Sequence, residues 1–284
     1  MSMVALGRRA VPSLLVLCTV LWGGVPCVAS ATDGGEKDDP LQRARVLART
    51  DWNWQDRRQQ FSLRVFDRRG RERTREMVML TQRDAPGKEK TLAVFLAPAE
   101  VRGTAFLQHV LGKEESTQWL YLPDLGRSRR IHGGARKQSF VGTDFSYADL
   151  DLIENVLHWK DTDASVRRVE ASPFTSGGGG PTYEFRPHGS SDPYERILLE
   201  LSAEDLVVRS LRMYVAGEDS PRKILKFRMI RETQEIPTAF QLEMVQPQRG
   251  TRTVVDVSGV RYDTGLQDRT FTKRALEQGL DHAE

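Results

Sequence analysis

The sequence predicts a mainly β protein, one domain built on an antiparallel sheet or barrel of about eleven strands with a few helices. Three observations carry this reading. Extended segments recur about every 8–15 residues with turn residues between them. Where those segments alternate, apolar side chains gather on one face, so the sheet is half wet and its apolar face needs a cover or a ligand. No repeat period suggests a propeller, and 284 residues at 39% hydrophobic content supply ample material for one core.

Residues 1–31 stand apart from that domain. Arg8 and Arg9 precede an apolar stretch over about 11–25, and Ala29-Ser30-Ala31 follows as a small-residue cleavage pattern. This is the grammar of a secretory signal peptide, and the stretch is short for a membrane span. Cys27 follows Pro26, with Gly24 three residues before it, which argues against a lipidated cysteine; Ala10-Val11-Pro12 likewise fits twin-arginine export poorly. Cleavage near Ala31 removes both cysteines, Cys18 and Cys27, so the exported chain is expected to hold without disulfides or cysteine metal sites. It also takes Arg8 and Arg9 from the 42 basic residues, leaving 40 against 39 acidic ones. That balance and the expected location make nucleic acid a poor partner, and no later apolar run is long enough to span a membrane. Residues 32–39 read as a flexible leader.

Pro40 then opens a helix with an apolar stripe (Leu41, Ala44, Val46, Leu47, Ala48) and a wet face (Arg43, Arg45, Arg49). Phe61, Leu63 and Val65 alternate, Asp67-Arg68-Arg69-Gly70 supplies a turn, and a second strand runs through Met77 and Leu80. Residues 92–96 form a nearly all-apolar strand. Further extended segments lie at 104–107, 118–122, 127–131, 166–170, 182–185, 194–201, 206–214, 223–231, 239–245 and 251–260. Residues 177–180 are a glycine-rich connection, and 273–279 a short closing helix. The alternation places Tyr194, Arg196, Leu198 and Glu200 opposite Ile197, Leu199 and Leu201, and Leu225, Phe227 and Met229 opposite Lys226, Arg228 and Ile230. Arg68 to Arg75, with Glu72 and Glu76 among them, read as a wet hairpin that discourages edge pairing.

Residues 98–151 carry the most information. A strand with Trp119 and Tyr121 on one face is followed by Arg127, Arg129 and Arg130, then by a glycine-bearing loop over 132–144 with Phe140 and Val141. Phe145, Tyr147 and Leu150 lead into a short helix for which Ser146, with Asp149 three residues on, is a natural N-cap. The runs Gly103-Thr104-Ala105-Phe106-Leu107, Trp119-Leu120-Tyr121-Leu122-Pro123, Arg129-Arg130-Ile131 and Ser139 through Leu150 resemble, in that order, the outer-membrane lipoprotein-sorting-like family, similar in fold to the periplasmic lipoprotein carrier and its outer-membrane acceptor. The resemblance extends more loosely from about Arg57 to Leu276. It implies an incomplete, strongly curved antiparallel barrel whose open side is plugged by helices and whose interior takes acyl chains. The cargo itself is not inherited from a fold.

On that reading Trp119, Tyr121, Phe140, Phe145 and Tyr147 are candidates for a ligand cavity or its gate, set against ordinary aromatic packing. The loop over 132–144 suits a lid, and Asp at Phe140 or Phe145 is expected to weaken lipid binding with the fold intact. Arg127, Arg129 and Arg130 are candidate head-group contacts, or else a solvated strand end paired with Asp144 and Asp149. Catalysis has little footing. The five histidines (His109, His132, His158, His188, His282) show no ligand spacing, there is no G-x-S-x-G, and Ser139, His132 and Asp144 are only neighbours on a loop. No cofactor motif is present. The expectation is a non-enzymatic periplasmic carrier of a lipid or lipoprotein acyl chain, served by an inner-membrane exporter; its rival is an accessory module that docks on such an exporter and holds no ligand.

Overall fold

The computed structural model describes residues 39–50, 53–85, 88–111, 116–170, 180–189 and 192–279. The expected signal peptide, both cysteines, most of the leader and most of the glycine-rich connection lie outside them. After helix α1 (Pro40–Arg49) come β1 (Asp56–Phe66), β2 (Glu72–Ala85), β3 (Lys88–Ala97), β4 (Ala105–Val110), β5 (Ser116–Leu122) and β6 (Arg127–Ile131). Helix α2 (Tyr147–Asn155) runs on into a 3-10 turn, Val156–His158. Then follow β7 (Ala164–Val169), β8 (Thr182–Pro187), β9 (Arg196–Leu201), β10 (Val208–Tyr214), β11 (Lys223–Thr233), β12 (Ile236–Gln246), β13 (Thr251–Tyr262) and helix α3 (Lys273–Gln278).

The strands make one unclosed, curled antiparallel sheet in the order β6-β5-β4-β3-β2-β1-β13-β12-β11-β10-β9-β8-β7. Its thirteen strands correspond to the thirteen extended segments marked out in the sequence rather than to a round count of about eleven, and the short arginine-rich segments form the two edges, β6 and β7. Two meanders, β1–β6 and β7–β13, meet at a central seam where β1 pairs with β13 from Arg57↔Tyr262 to Phe66↔Arg252. The edges are consecutive in sequence, so the chain between them, with α2, must pass from one edge to the other. Curl is helped by bulges: Ser258 is the extra residue where Gln60↔Gly259 gives way to Phe61↔Val257, and Leu96 where Glu76↔Ala97 gives way to Met77↔Phe95.

The concave face and the helices share one core, in which Phe61, Phe95, Phe106, Leu199, Leu211 and Met244 meet Leu41 and Ala44 of α1 and Leu152 of α2. On the convex face Val78, Leu80, Leu92, Val94 and Leu107 pack beneath Phe271 and Leu276 of the C-terminal segment. Strands β2–β4 are thus covered on both sides, which is why 92–96 reads as an unbroken apolar run.

Three expected faces are corrected by this packing. In α1, Arg45 is only 8% exposed, with its Nη2 donating to Trp159 O at 3.0 Å, while Val46 is the exposed side chain at 56%. On β11, Met229 takes φ +52° and turns outward, so Ile230 faces in and lines the cavity beside Phe227. On β9, Leu198 and Glu200 are buried rather than wet, and Glu200 accepts from Ser210 Oγ at 2.8 Å.

Candidate functional site

Curling the sheet around α1 and α2 leaves a cavity of about 320 Å³, at the lower end of the usual ~300–1,000 Å³ for ligand pockets. Its long walls are apolar. Phe61, Leu63, Met77 and Met79 come from β1 and β2, Phe227, Leu242 and Val255 from β11–β13, and Leu150, Ile153 and Val156 from the segment that crosses the open side.

The two ends differ in chemistry. Phe106, Phe140 and Phe145 line one of them. Phe140 is edge-on to Phe106 (centroids 5.4 Å) and perpendicular to Tyr147 (5.6 Å), so Tyr147 backs the wall without forming it. The other end lies four residues from Phe106 along β4, where Val110 pairs with Glu89, roughly 13 Å at about 3.3 Å per residue. It carries Trp54, Arg57, Arg83, Glu89, Glu154 and His158. Two guanidiniums approach the Trp54 ring, Arg83 Cζ at 3.9 Å and Arg57 Cζ at 4.7 Å from its centre. Arg57 Nη2 donates to Glu154 Oε1 of α2 at 2.8 Å. Arg83 directs both Nε (2.8 Å) and Nη2 (2.7 Å) at one oxygen of Glu89, Oε1.

Burial dominates the electrostatics here. It pushes the Glu89 carboxyl up, and the nearby Glu154 adds to it, so that Glu89 titrates at about 7 in spite of Arg83 and Arg57. Burial and then Arg83 push His158 down to about 4, so its imidazole is neutral at pH 7. For Arg57 burial works against the charge, but Glu154, Tyr262 and Glu89 outweigh it and hold the pKa above the ordinary arginine value. Three buried atoms at this end have no protein hydrogen-bond partner: Arg57 Nε, Glu89 Oε2 and His158 Nδ1. Sequence reasoning missed this end. Glu89 stands between Lys88 and Lys90, outside the expected strand 92–96, and His158 is one of five histidines without ligand spacing.

The C-terminal part of the loop expected to act as a lid is tied down by hydrogen bonds. Phe140 N donates to Phe145 O at 2.7 Å, and Ser139 Oγ to Thr143 O at 2.6 Å. Arg75 of β2 donates to Val141 O, where Gly142 at φ +70° leaves room for its guanidinium. The buried Asp144 accepts from Gln246 Nε2 (2.7 Å), Thr251 Oγ1 (2.5 Å) and Thr253 Oγ1 (2.7 Å), which sew the loop to β12 and β13. Phe140 is 2% exposed and belongs to the core as well as the cavity wall, so Asp in its place is expected to destabilise the fold as well as weaken binding.

The remaining candidates lie elsewhere. Trp119 and Tyr121 are on the opposite face of β5, packed against the Phe271–Leu276 cluster, and line no part of the cavity. Arg127, Arg129 and Arg130 are exposed on edge strand β6 away from the cavity, and neither Asp144 nor Asp149 is their partner. Asp149 caps α2 with Ser146, as the sequence indicated, and also accepts from Lys223 Nζ and Tyr194 OH, each at 2.5 Å. That fully buried group is satisfied and serves the fold. Among the described residues no cluster of His, Cys, Asp and Glu is arranged to hold a metal, and no helix is long and apolar enough to cross a membrane.

A family model described as "Uncharacterized protein" matches residues 87–278. A domain attributed to outer membrane lipoprotein sorting from Vibrio parahaemolyticus superposes with a TM-score of 0.73 at 25% identity, covering 84% of this chain and 97% of that one. A DUF1329 family protein from Desulfovibrio piger gives 0.72 at 26% identity, covering 84% and 99%. A LolA superfamily protein from Nitrosomonas europaea gives 0.63 at 16% identity, covering 83% and 97%, which is a likeness of fold alone. Among curated proteins none matches this chain.

Proposed function

Because this chain belongs to the outer-membrane lipoprotein-sorting-like family, we propose that it is a carrier: an exported, non-enzymatic protein that shields a lipid or a lipoprotein acyl chain from water in transit across the periplasm to the outer membrane. The observation that supports this most directly is the cavity of about 320 Å³, walled by aliphatic and aromatic side chains on the concave face. Burial of an acyl chain there is worth about 0.8 kcal/mol per methylene, which gives useful affinity without a polar code. The same cavity counts against the rival docking module, whose interior would be tightly packed. An inner-membrane exporter as cargo donor belongs to the proposal, as does cleavage near Ala31.

Native mass spectrometry of the protein purified from its own cell envelope, followed by organic extraction, tests the reading. A co-purifying lipid or acylated peptide is expected. Leu242→Trp, which pushes an indole into the cavity, is expected to lose that extra mass while keeping its circular dichroism spectrum. A bare mass that stays bare after lipid is added back removes the carrier reading.

A further inference from the structure

We infer that the polar end of the cavity is a head-group site for a monocarboxylate carried on a long apolar chain, with Arg57, Glu89 and His158 as its contacts. This rests on the carrier reading and narrows its cargo. Two features of the site support it, the set of unpartnered atoms and the balance of charge.

Arg57 Nε, Glu89 Oε2 and His158 Nδ1 are buried, lack protein partners and belong to residues that line one end of one cavity. Buried polar groups of folded proteins are nearly always hydrogen-bonded, so three at one place mark where a polar group of something else fits. Arg57 Nε carries a hydrogen and donates. Both N–H groups of Arg83 go to Glu89 Oε1, so a proton on this carboxyl resides on Oε2, which then donates as well. Two fixed donors suit an acceptor with two oxygens.

Charge narrows the class further. Arg57 and Arg83 supply two positive charges at this end, Glu154 supplies one negative, and His158 is neutral. With Glu89 protonated, one positive charge is uncompensated, and a single anionic carboxylate balances it. A phosphomonoester would bring excess charge and more oxygens than there are donors. With Glu89 ionised the end is neutral without a ligand, Oε2 no longer donates, and an anion is repelled. The groups facing Glu89 are Arg83 of β2, Arg57 of β1, Glu154 of α2 and the following His158, with Tyr262 of β13 beside Arg57 and with Arg45 and Arg49 of α1 on the His158 side. Glu89 is therefore the group expected to switch between pH 6 and pH 8.5, a range in which a fatty acid of ordinary pKa, about 4–5, stays ionised.

Titration calorimetry of the exported chain with dodecanoate and with dodecan-1-ol, at pH 6 and pH 8.5, tests the site. Dodecanoate is expected to bind at least about tenfold more tightly than the alcohol at pH 6, and to lose most of that preference at pH 8.5. In Glu89→Gln, which keeps an N–H donor and cannot ionise, the preference should persist at both values. Equal binding of acid and alcohol at pH 6, or an unchanged pH dependence in Glu89→Gln, overturns the head-group site while the apolar carrier stands. If neither ligand binds, the carrier reading falls with it.

Discussion

At the scale of single residues, Glu89 and His158 sit within one cavity end and titrate in opposite directions. Glu89 is raised to about 7, so the folded state holds a proton there that the unfolded chain releases above its ordinary value of 4.5; stability falls as pH rises from about 4.5 to 7. His158 is lowered to about 4, so its contribution is lost as pH falls from about 6.5 to 4. Each slope is at most about 1.4 kcal/mol per pH unit, and they oppose each other where they overlap. Urea unfolding should therefore give a nearly flat stability between pH 5 and pH 6.5 in the native protein, and a decline toward low pH in Glu89→Gln; a flat profile in the variant would refute the assignment. None of this was legible in the sequence, because burial of a glutamate between two lysines depends on which strand face the curl turns inward. The N-cap Ser146 with Asp149 was legible, since that signal is local and needs no tertiary information.

Among the elements, the segment 139–145 shows how a sequence signature can be right in position and wrong in character. Glycine and exposed-looking aromatics describe a mobile loop, yet Arg75 and the donors from β12 and β13 fasten it. Asp144→Ala removes a buried acceptor of three side-chain hydrogen bonds, and a loss of about 2–4 kcal/mol is expected, at 1–3 kcal/mol for each donor left without a partner and partial relaxation. Hydrogen exchange should then quicken at the Phe140 amide, which bonds to Phe145 O, with little change in β1; unchanged exchange would mean that the aromatic cluster alone holds the loop. The hairpin at Asp67 was readable because its turn chemistry is carried by adjacent residues, Asp67 Oδ1 accepting from Arg69 N and Arg71 N. The faces of β9 and β11 were not. Burial of Glu200 beside Ser210 and Arg212 and a left-handed backbone at Met229 both break a strict two-residue period.

For the whole molecule, the number and order of strands were largely readable from spacing, but the central pairing was not, because β1 meets β13 across nearly the whole chain and no local signal marks that contact. Amides of β1 and β13 at the centre are expected to exchange only through global unfolding, and those of edge strands β6 and β7 through local opening; similar rates for both would contradict this sheet order. The seam also bears on how the protein comes to be made. Its two strands lie roughly 200 residues apart along the chain, so one of them leaves the ribosome first and waits for nearly the entire polypeptide before its partner exists. The meanders on either side can assemble from neighbouring hairpins, while the join that makes them one sheet closes last and across the longest loop. Such a join is slow to find. Until it forms, two long strands, each with one apolar face, present open edges, and the nascent protein is itself a passenger in need of an escort.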